Sequence, residues 1–142
     1  MAVEVFGPLI AASGAVILAG VTYWFTKKRE REAELRKEKL EHYKEFVLTL
    51  SGVISGESTS DGQRAFARAC NKLNLVAPQV IIKALQDFQQ AIKTGSSADR
   101  ATHDRLLSAL LYEMRKDLQI TPKDKDSAFV FGLWASGTPP EQ

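Results

Sequence analysis

Residues 5–25 read VFGPLIAASGAVILAGVTYWF, 21 positions without a charge, and Lys27, Lys28 and Arg29 reverse that composition almost at once. As a helix rising about 1.5 Å per residue, such a stretch reaches about 31 Å, enough for the hydrocarbon core of a bilayer. It therefore predicts a transmembrane helix. Pro8 is placed in the first turn, where a missing N–H breaks no helical bond. Tyr23, Trp24 and Phe25 stand at the distal end, the headgroup level that aromatic rings with a polar edge prefer. The N-terminal flank offers Glu4 and no Lys or Arg, so the charge bias predicts the N-terminus outside and everything after residue 26 inside, in the cytoplasm. A cleaved signal peptide would carry its positive charge before the apolar stretch, not after it. A buried helix of a water-soluble protein rarely runs this far without one charge.

Gly7, Ala11, Ala15 and Ala19 recur every four residues and form a ridge of small side chains along this helix. Such a ridge lets a second helix backbone approach closely, so these four are candidate helix–helix contacts within the membrane. The stretch holds no Asp, Glu, Lys, Arg or His, so it offers no ionisable relay for a transporter.

Outward from the span, Lys27 to Glu45 read KKREREAELRKEKLEHYKE, eight Lys or Arg and six Glu with no Gly or Pro. Strong helix formers of this kind continue the helix as a charged stem, with Glu32–Arg36 and Glu34–Lys37 at pairing distance along its surface. Lys27, Lys28, Arg29 and Arg31 are candidate contacts for anionic lipid headgroups. From Leu40 an apolar stripe appears at Leu40, Tyr43, Val47, Leu50 and Ile54, spaced by threes and fours, and Ser55 to Ser60 reads as a loop. Ser60 with Gln63 has the form of a capping box and opens a helix to about Leu75, with Phe66, Cys70 and Leu73 on one side. Pro78 suits the first turn of the next helix, whose face is Ile81, Ala84, Leu85, Phe88 and Ile92 and which Gly95 closes. Ser96 with Asp99 caps a further helix carrying Leu107, Leu110, Leu111, Met114 and Leu118, before Pro122 interrupts it.

The fold class that follows is all-α: an N-terminal transmembrane helix continuing into a charged stem, then a compact cytoplasmic bundle of about four helices. Residues 1–26 are the anchor, 27–39 the stem, 40–136 the bundle with its C-terminal apolar segment, and 137–142 a flexible tail. Thr121, Pro122 and Asp124 suit one more short turn, and Ala128 to Trp134 form an apolar cluster. Phe129, Phe131 and Trp134 in that cluster either close the open end of the bundle or contact a partner.

A chain of 142 residues, 44% hydrophobic and 25% charged, makes one domain rather than two. A single cysteine, Cys70, excludes an intrachain disulfide framework and reads as a small core residue. Glu38, Glu41 and His42 resemble a carboxylate and imidazole cluster, but a di-iron bundle repeats Glu-x-x-His on two helices and this chain carries one Glu-x-x-x-His. His103, near an apolar stripe, reads as structural. Phosphate-binding loops, dinucleotide fingerprints, His-Glu-x-x-His and the nucleophile elbow are absent, so no cofactor, metal, catalytic residue or small-molecule substrate is expected. Nineteen basic residues balance 17 acidic ones, which argues against nucleic acid as a partner.

The order of a short N-out span, the KKRERE stem, Tyr43-x-x-Phe46 and LNLVAPQVIIKALQDF over 73–88 resembles small uncharacterised bacterial single-pass membrane proteins with a helical cytoplasmic domain. That resemblance implies a bacterial inner-membrane setting and no activity. The stem is similar to the membrane-proximal part of the ATP synthase b subunit, from which the chain departs where Gly56, Pro78 and Gly95 punctuate it. The expectation is a non-enzymatic, membrane-tethered interaction or scaffold module whose partners are the bilayer and a protein or further copies of itself. The alternative is a homo-oligomeric membrane-active protein such as a pore or defence effector. An unfamiliar enzyme site would have to be drawn from Glu38, His42, Cys70 and His103.

Overall fold

The computed structural model describes residues 2–53, 58–93, 96–125 and 128–132, with the side chains of its first helix described from Gly14 onward. Four α-helices follow in order: α1 (Ala2–Thr49), running directly into a short 3-10 helix (Leu50–Val53), then α2 (Ser60–Val76), α3 (Gln79–Ile92) and α4 (Arg100–Asp117). No strand occurs among the described residues. The chain is all-α and its C-terminal part is a helical bundle. Ile54, Gly56, Gly95, Leu133, Trp134 and the expected tail over 137–142 lie outside the described residues, as do the side chains of the first part of the expected span, including Gly7 and Ala11. Among the described residues no helix is long and apolar enough to cross a membrane.

α1 is one 48-residue helix; from Lys27 onward it is made mostly of strong helix formers, and no Gly or Pro interrupts it after Gly20. It begins at Ala2, earlier than the sequence pattern implies, so Pro8 stands in the second turn and not the first. The helical ladder therefore lacks one N–H there. The chain divides into two compact units, Met1–Lys37 and Glu38–Gln142. In the first, every described side chain is exposed.

The second unit buries Tyr43, Phe46 and Leu50 from α1 and the 3-10 helix; Phe66, Ala69, Cys70 and Leu73 from α2; Ile81, Leu85 and Phe88 from α3; and Leu107, Leu110 and Met114 from α4. The stripes read from α2, α3 and α4 supply that core as expected, with Ala84, Ile92, Leu111 and Leu118 partly buried at its margin. The stripe on α1 is shifted. Phe46 is fully buried and meets the ring of Phe66 at 5.6 Å, whereas Val47 is 41% exposed. A core line through 39, 43, 46 and 50 satisfies helical spacing as well as one through 40, 43, 47 and 50, and the larger side chain takes the interior.

Local chemistry fixes the helix ends. Thr59, not Ser60, caps α2: its hydroxyl accepts from the Gly62 amide at 3.0 Å, while Gln63 reaches back to Ser58 Oγ at 2.8 Å. Pro78 is the cap of α3, one position before its first turn, and its carbonyl accepts from Ile81 and Ile82. Asp99 alone caps α4, accepting from the Thr102 amide at 2.9 Å, and Thr102's hydrogen bonds hold its carboxyl below the usual range. Ser96 Oγ instead accepts from Ala98. At the other end the Gln119 amide bonds to Lys116 and the Ile120 amide to Arg115, with Gln119 in the left-handed region at φ 54°. This is the paired-bond helix stop usually given to glycine. Residues 121 and 122 bend without adding the extra helical turn that Pro122 suggests.

The 3-10 helix packs on the start of α2 through two glycines. A Cβ on Gly52 would stand 2.6 Å from the Gly62 backbone, so the two chains touch main chain to main chain. Along α1 and α2 the pairs Gly52–Gly62, Phe46–Phe66 and Glu45–Lys72 ascend in one helix while descending in the other, so these helices run in opposite directions.

Candidate functional site

Two regions carry features beyond folding, each in its own unit. In the first, Val16, Ile17 and Leu18 are 72%, 68% and 69% exposed. Three consecutive helical residues point about 100° apart, so the apolar exposure is on all sides rather than along one stripe. Val21, Tyr23, Trp24 and Phe25 continue it. Ala15 and Ala19 of the small-residue ridge are exposed, and a side chain at Gly14 or Gly20 would meet nothing within 4 Å. Cations close the apolar run: Lys27 Nζ lies 5.9 Å from the Tyr23 ring centre and Lys28 Nζ 5.6 Å from that of Trp24. Lys27 also pairs with Glu30 at 2.7 Å, which raises its pKa. Arg29 and Arg31 are exposed.

In the second unit, the C-terminal segment lies on α4. Phe131 is half-buried, its ring 5.0 Å from Tyr112 and 5.3 Å from Phe129, with the Arg115 guanidinium 5.8 Å above it. The Phe131 amide donates to Ser108 Oγ at 2.9 Å, and the Tyr112 hydroxyl donates to the Phe129 carbonyl at 3.0 Å. Arg115 grips both oxygens of Asp124 at 2.7 Å, which holds that carboxyl below its usual range. Phe129 and Val130 remain 58% and 51% exposed. Of the three aromatic residues singled out in the sequence, the structure thus brings Phe129 and Phe131 together, and Trp134 lies outside the described residues.

Ser108, Tyr112 and Arg115 were not expected to matter. Ser108 did leave a signal: it follows Leu107 on the apolar side of α4 and is 4% exposed, a buried polar residue that needs a partner.

Cys70 and His103 are held within the bundle. Cys70 is buried and its thiol pKa is pushed up by that burial, the opposite of an activated nucleophile. His103 Nε2 donates to the Ala91 carbonyl at 2.8 Å, tying the end of α3 to the start of α4. Among the described residues no three or more His, Cys, Asp or Glu are grouped to hold a metal ion. A polar cluster does form where α1 meets the end of α4: Asp117 accepts from Tyr43 OH at 2.7 Å and pairs with Lys39 at 2.9 Å. It fastens two helices. On α3, Gln79, Val80, Ile82, Lys83 and Gln86 line a shallow, open groove of about 530 Å³.

Compared with known proteins, the chain matches no family model, no curated protein and no solved structure.

Proposed function

We propose that this chain is a non-enzymatic interaction module tethered to a membrane. In this reading the apolar stretch 5–25 lies in the bilayer with the N-terminus outside, Lys27, Lys28, Arg29 and Arg31 meet the headgroups, and the bundle engages a protein partner at the cytoplasmic face of the inner membrane. One observation carries it: apolar side chains at Val16, Ile17 and Leu18 are exposed on every side of α1. A helix in water keeps apolar groups to one face and covers that face, whereas lipid rewards apolar surface all round. The aromatic and lysine pairs at 23–28 suit the interface that would follow. Tethering would raise the local concentration of the bundle near other membrane proteins without high intrinsic affinity.

Fractionation of cells expressing the full chain, with the membranes washed in alkaline carbonate, tests the reading. The chain is expected to stay in the membrane pellet, and Ile17→Lys with Leu18→Lys to release it, because each charge at mid-membrane costs about 2.5–3.5 kcal/mol. Extraction of the unaltered chain by carbonate would overturn the tether. Purification in mild detergent, reading native mass and co-purifying proteins together, then separates the interaction module from its alternative. A stoichiometric partner supports the module; a large ring of identical copies with no partner replaces it with a membrane-active assembly.

A further inference from the structure

We infer that Trp24, Lys28 and Arg31 form a contact site for the phosphate of an anionic phospholipid, which makes the membrane tether selective for bilayers that carry negative charge. Two neighbouring lines run along α1 where its apolar stretch ends: Tyr23, Lys27 and Glu30, and beside them Trp24, Lys28 and Arg31, each at positions i, i+4 and i+7. The lines begin alike. In both a lysine ammonium lies near an aromatic ring, Lys27 Nζ 5.9 Å from the centre of Tyr23 and Lys28 Nζ 5.6 Å from that of Trp24. Side chains of a helix lean toward its N-terminus, here toward the apolar stretch, which carries both ammonium groups back to their rings. The third residue separates the lines. Glu30 pairs with Lys27 at 2.7 Å, so the Tyr23 line closes on itself without net charge. Arg31 holds the matching place in the Trp24 line and adds a second cation. Lys28 and Arg31 are exposed, and among the described residues neither forms an ion pair. Glu32 and Glu34 follow within one turn, on the side away from the apolar stretch, and pair with neither.

The Trp24 line therefore offers an indole N–H, an ammonium and a guanidinium, which are all donors, and no acceptor. A phosphate diester is the complement of that set, a negative group that only accepts, and it occupies the level where the apolar stretch gives way to charge. Lys28 stands about 6 Å beyond Trp24 along the helix axis, about the depth of one headgroup layer. In a zwitterionic lipid the phosphate is offset by a tethered ammonium, for which this line has no carboxylate. In an anionic lipid the phosphate charge is unopposed, and each cation near such a surface gains free energy from it. The inference deepens the proposed function and rests on its bilayer half.

The test reconstitutes the full chain, carrying Trp134→Phe so that Trp24 is its single tryptophan, into vesicles of equal parts phosphatidylglycerol and phosphatidylcholine. One preparation has brominated acyl chains on the phosphatidylglycerol and the other on the phosphatidylcholine, and quenching of Trp24 fluorescence reports which lipid lies against it. The brominated phosphatidylglycerol is expected to quench as if enriched about threefold or more around α1. Lys28→Gln and Arg31→Gln should each lower that preference and together abolish it, whereas Arg29→Gln, which removes one charge at the same height on a different face, should lower it less than either. Equal quenching by the two lipids overturns the inference and leaves the tether standing. An Arg29→Gln loss as large as that of Lys28→Gln and Arg31→Gln also overturns it, because the preference then follows total charge and not this line. Quenching by neither lipid overturns the bilayer reading and the inference with it.

Discussion

Two stretches of the same helix, residues 14–37 and 38–49 of α1, differ in what their apolar side chains meet. In the first, Val16, Ile17, Leu18 and Leu35 are exposed; in the second, Tyr43 and Phe46 are among the most deeply buried residues of the molecule. Both stretches are helical, so helix formation does not distinguish them. Partners do: α2 and α4 supply a ring against Phe46 and a carboxylate against Tyr43. The lesson is that the second stretch contributes to the stability of the bundle, and the first is available for something that the bundle does not supply.

The widest separation should come from truncating one apolar residue in each stretch. Phe46→Ala removes a fully buried ring and should destabilise the bundle by about 3–5 kcal/mol. Ile17→Ala should leave it within about 0.5 kcal/mol, as surface substitutions do. Hydrogen exchange of the α3 and α4 amides in the full chain reads both. Comparable losses from the two would erase the contrast.

A smaller effect, still within the second stretch and its continuation, concerns the contact between Gly52 and Gly62. Helix propensity alone favours Gly62→Ala by about 1 kcal/mol. The added Cβ, however, would stand 2.7 Å from the Gly52 Cα, where backbone cannot rotate away. Overpacking of this kind costs about 1–3 kcal/mol, so Gly62→Ala and Gly52→Ala should both lower the denaturant midpoint. A rise with Gly62→Ala would mean that propensity prevails and that the two backbones are not held together.

The polar tie of the second stretch is sharpened by pH. Burial, then the hydrogen bond to Asp117 and its charge, raise the pKa of Tyr43 well above the ordinary value. Below about pH 10 the tyrosine is neutral in both folded and unfolded chains and its contribution is fully present. Above that, the unfolded chain releases the proton that the folded chain keeps, so stability falls as pH rises. Tyr43→Phe should cost about 1–2 kcal/mol at neutral pH and remove that share of the alkaline loss. Chemical unfolding of both forms at pH 8 and pH 11 measures it; equal pH dependence would place the hydroxyl outside the tie.

Much of this bundle was legible from spacing. Ile81, Leu85 and Phe88, or Leu107, Leu110 and Met114, fit one helical face each and are all buried. On α1 two registers fitted equally, and the larger side chain, Phe46, takes the interior against the Phe66 ring while Val47 stays exposed. The glycine contact was invisible because Gly52 and Gly62 lack any side chain to form a pattern. The C-terminal aromatics stood out by composition, but their receptor did not: recognition runs through the backbone of Phe129 and Phe131, and sequence patterns report side chains.

The smallest expected effect concerns the same limit at the start of α2. Thr59 and Ser60 are adjacent hydroxyl residues, and either satisfies the sequence signature of a cap. In the structure Thr59 has extended backbone at φ −123° and ψ 158°, and its oxygen accepts from Gly62. Ser60 is the first helical residue, and its side chain is exposed. Thr59→Ala should therefore cost about 1 kcal/mol and Ser60→Ala less than about 0.5 kcal/mol. At Ser60, a helical position, Ala is the better helix former, so propensity opposes any cost there and a costly Ser60→Ala would have to come from a lost hydrogen bond. Equilibrium unfolding of the two variants side by side reads it. If Ser60→Ala is the costlier one, α2 starts a residue later than the Gly62 bond implies, and the close approach to Gly52 must shift with it.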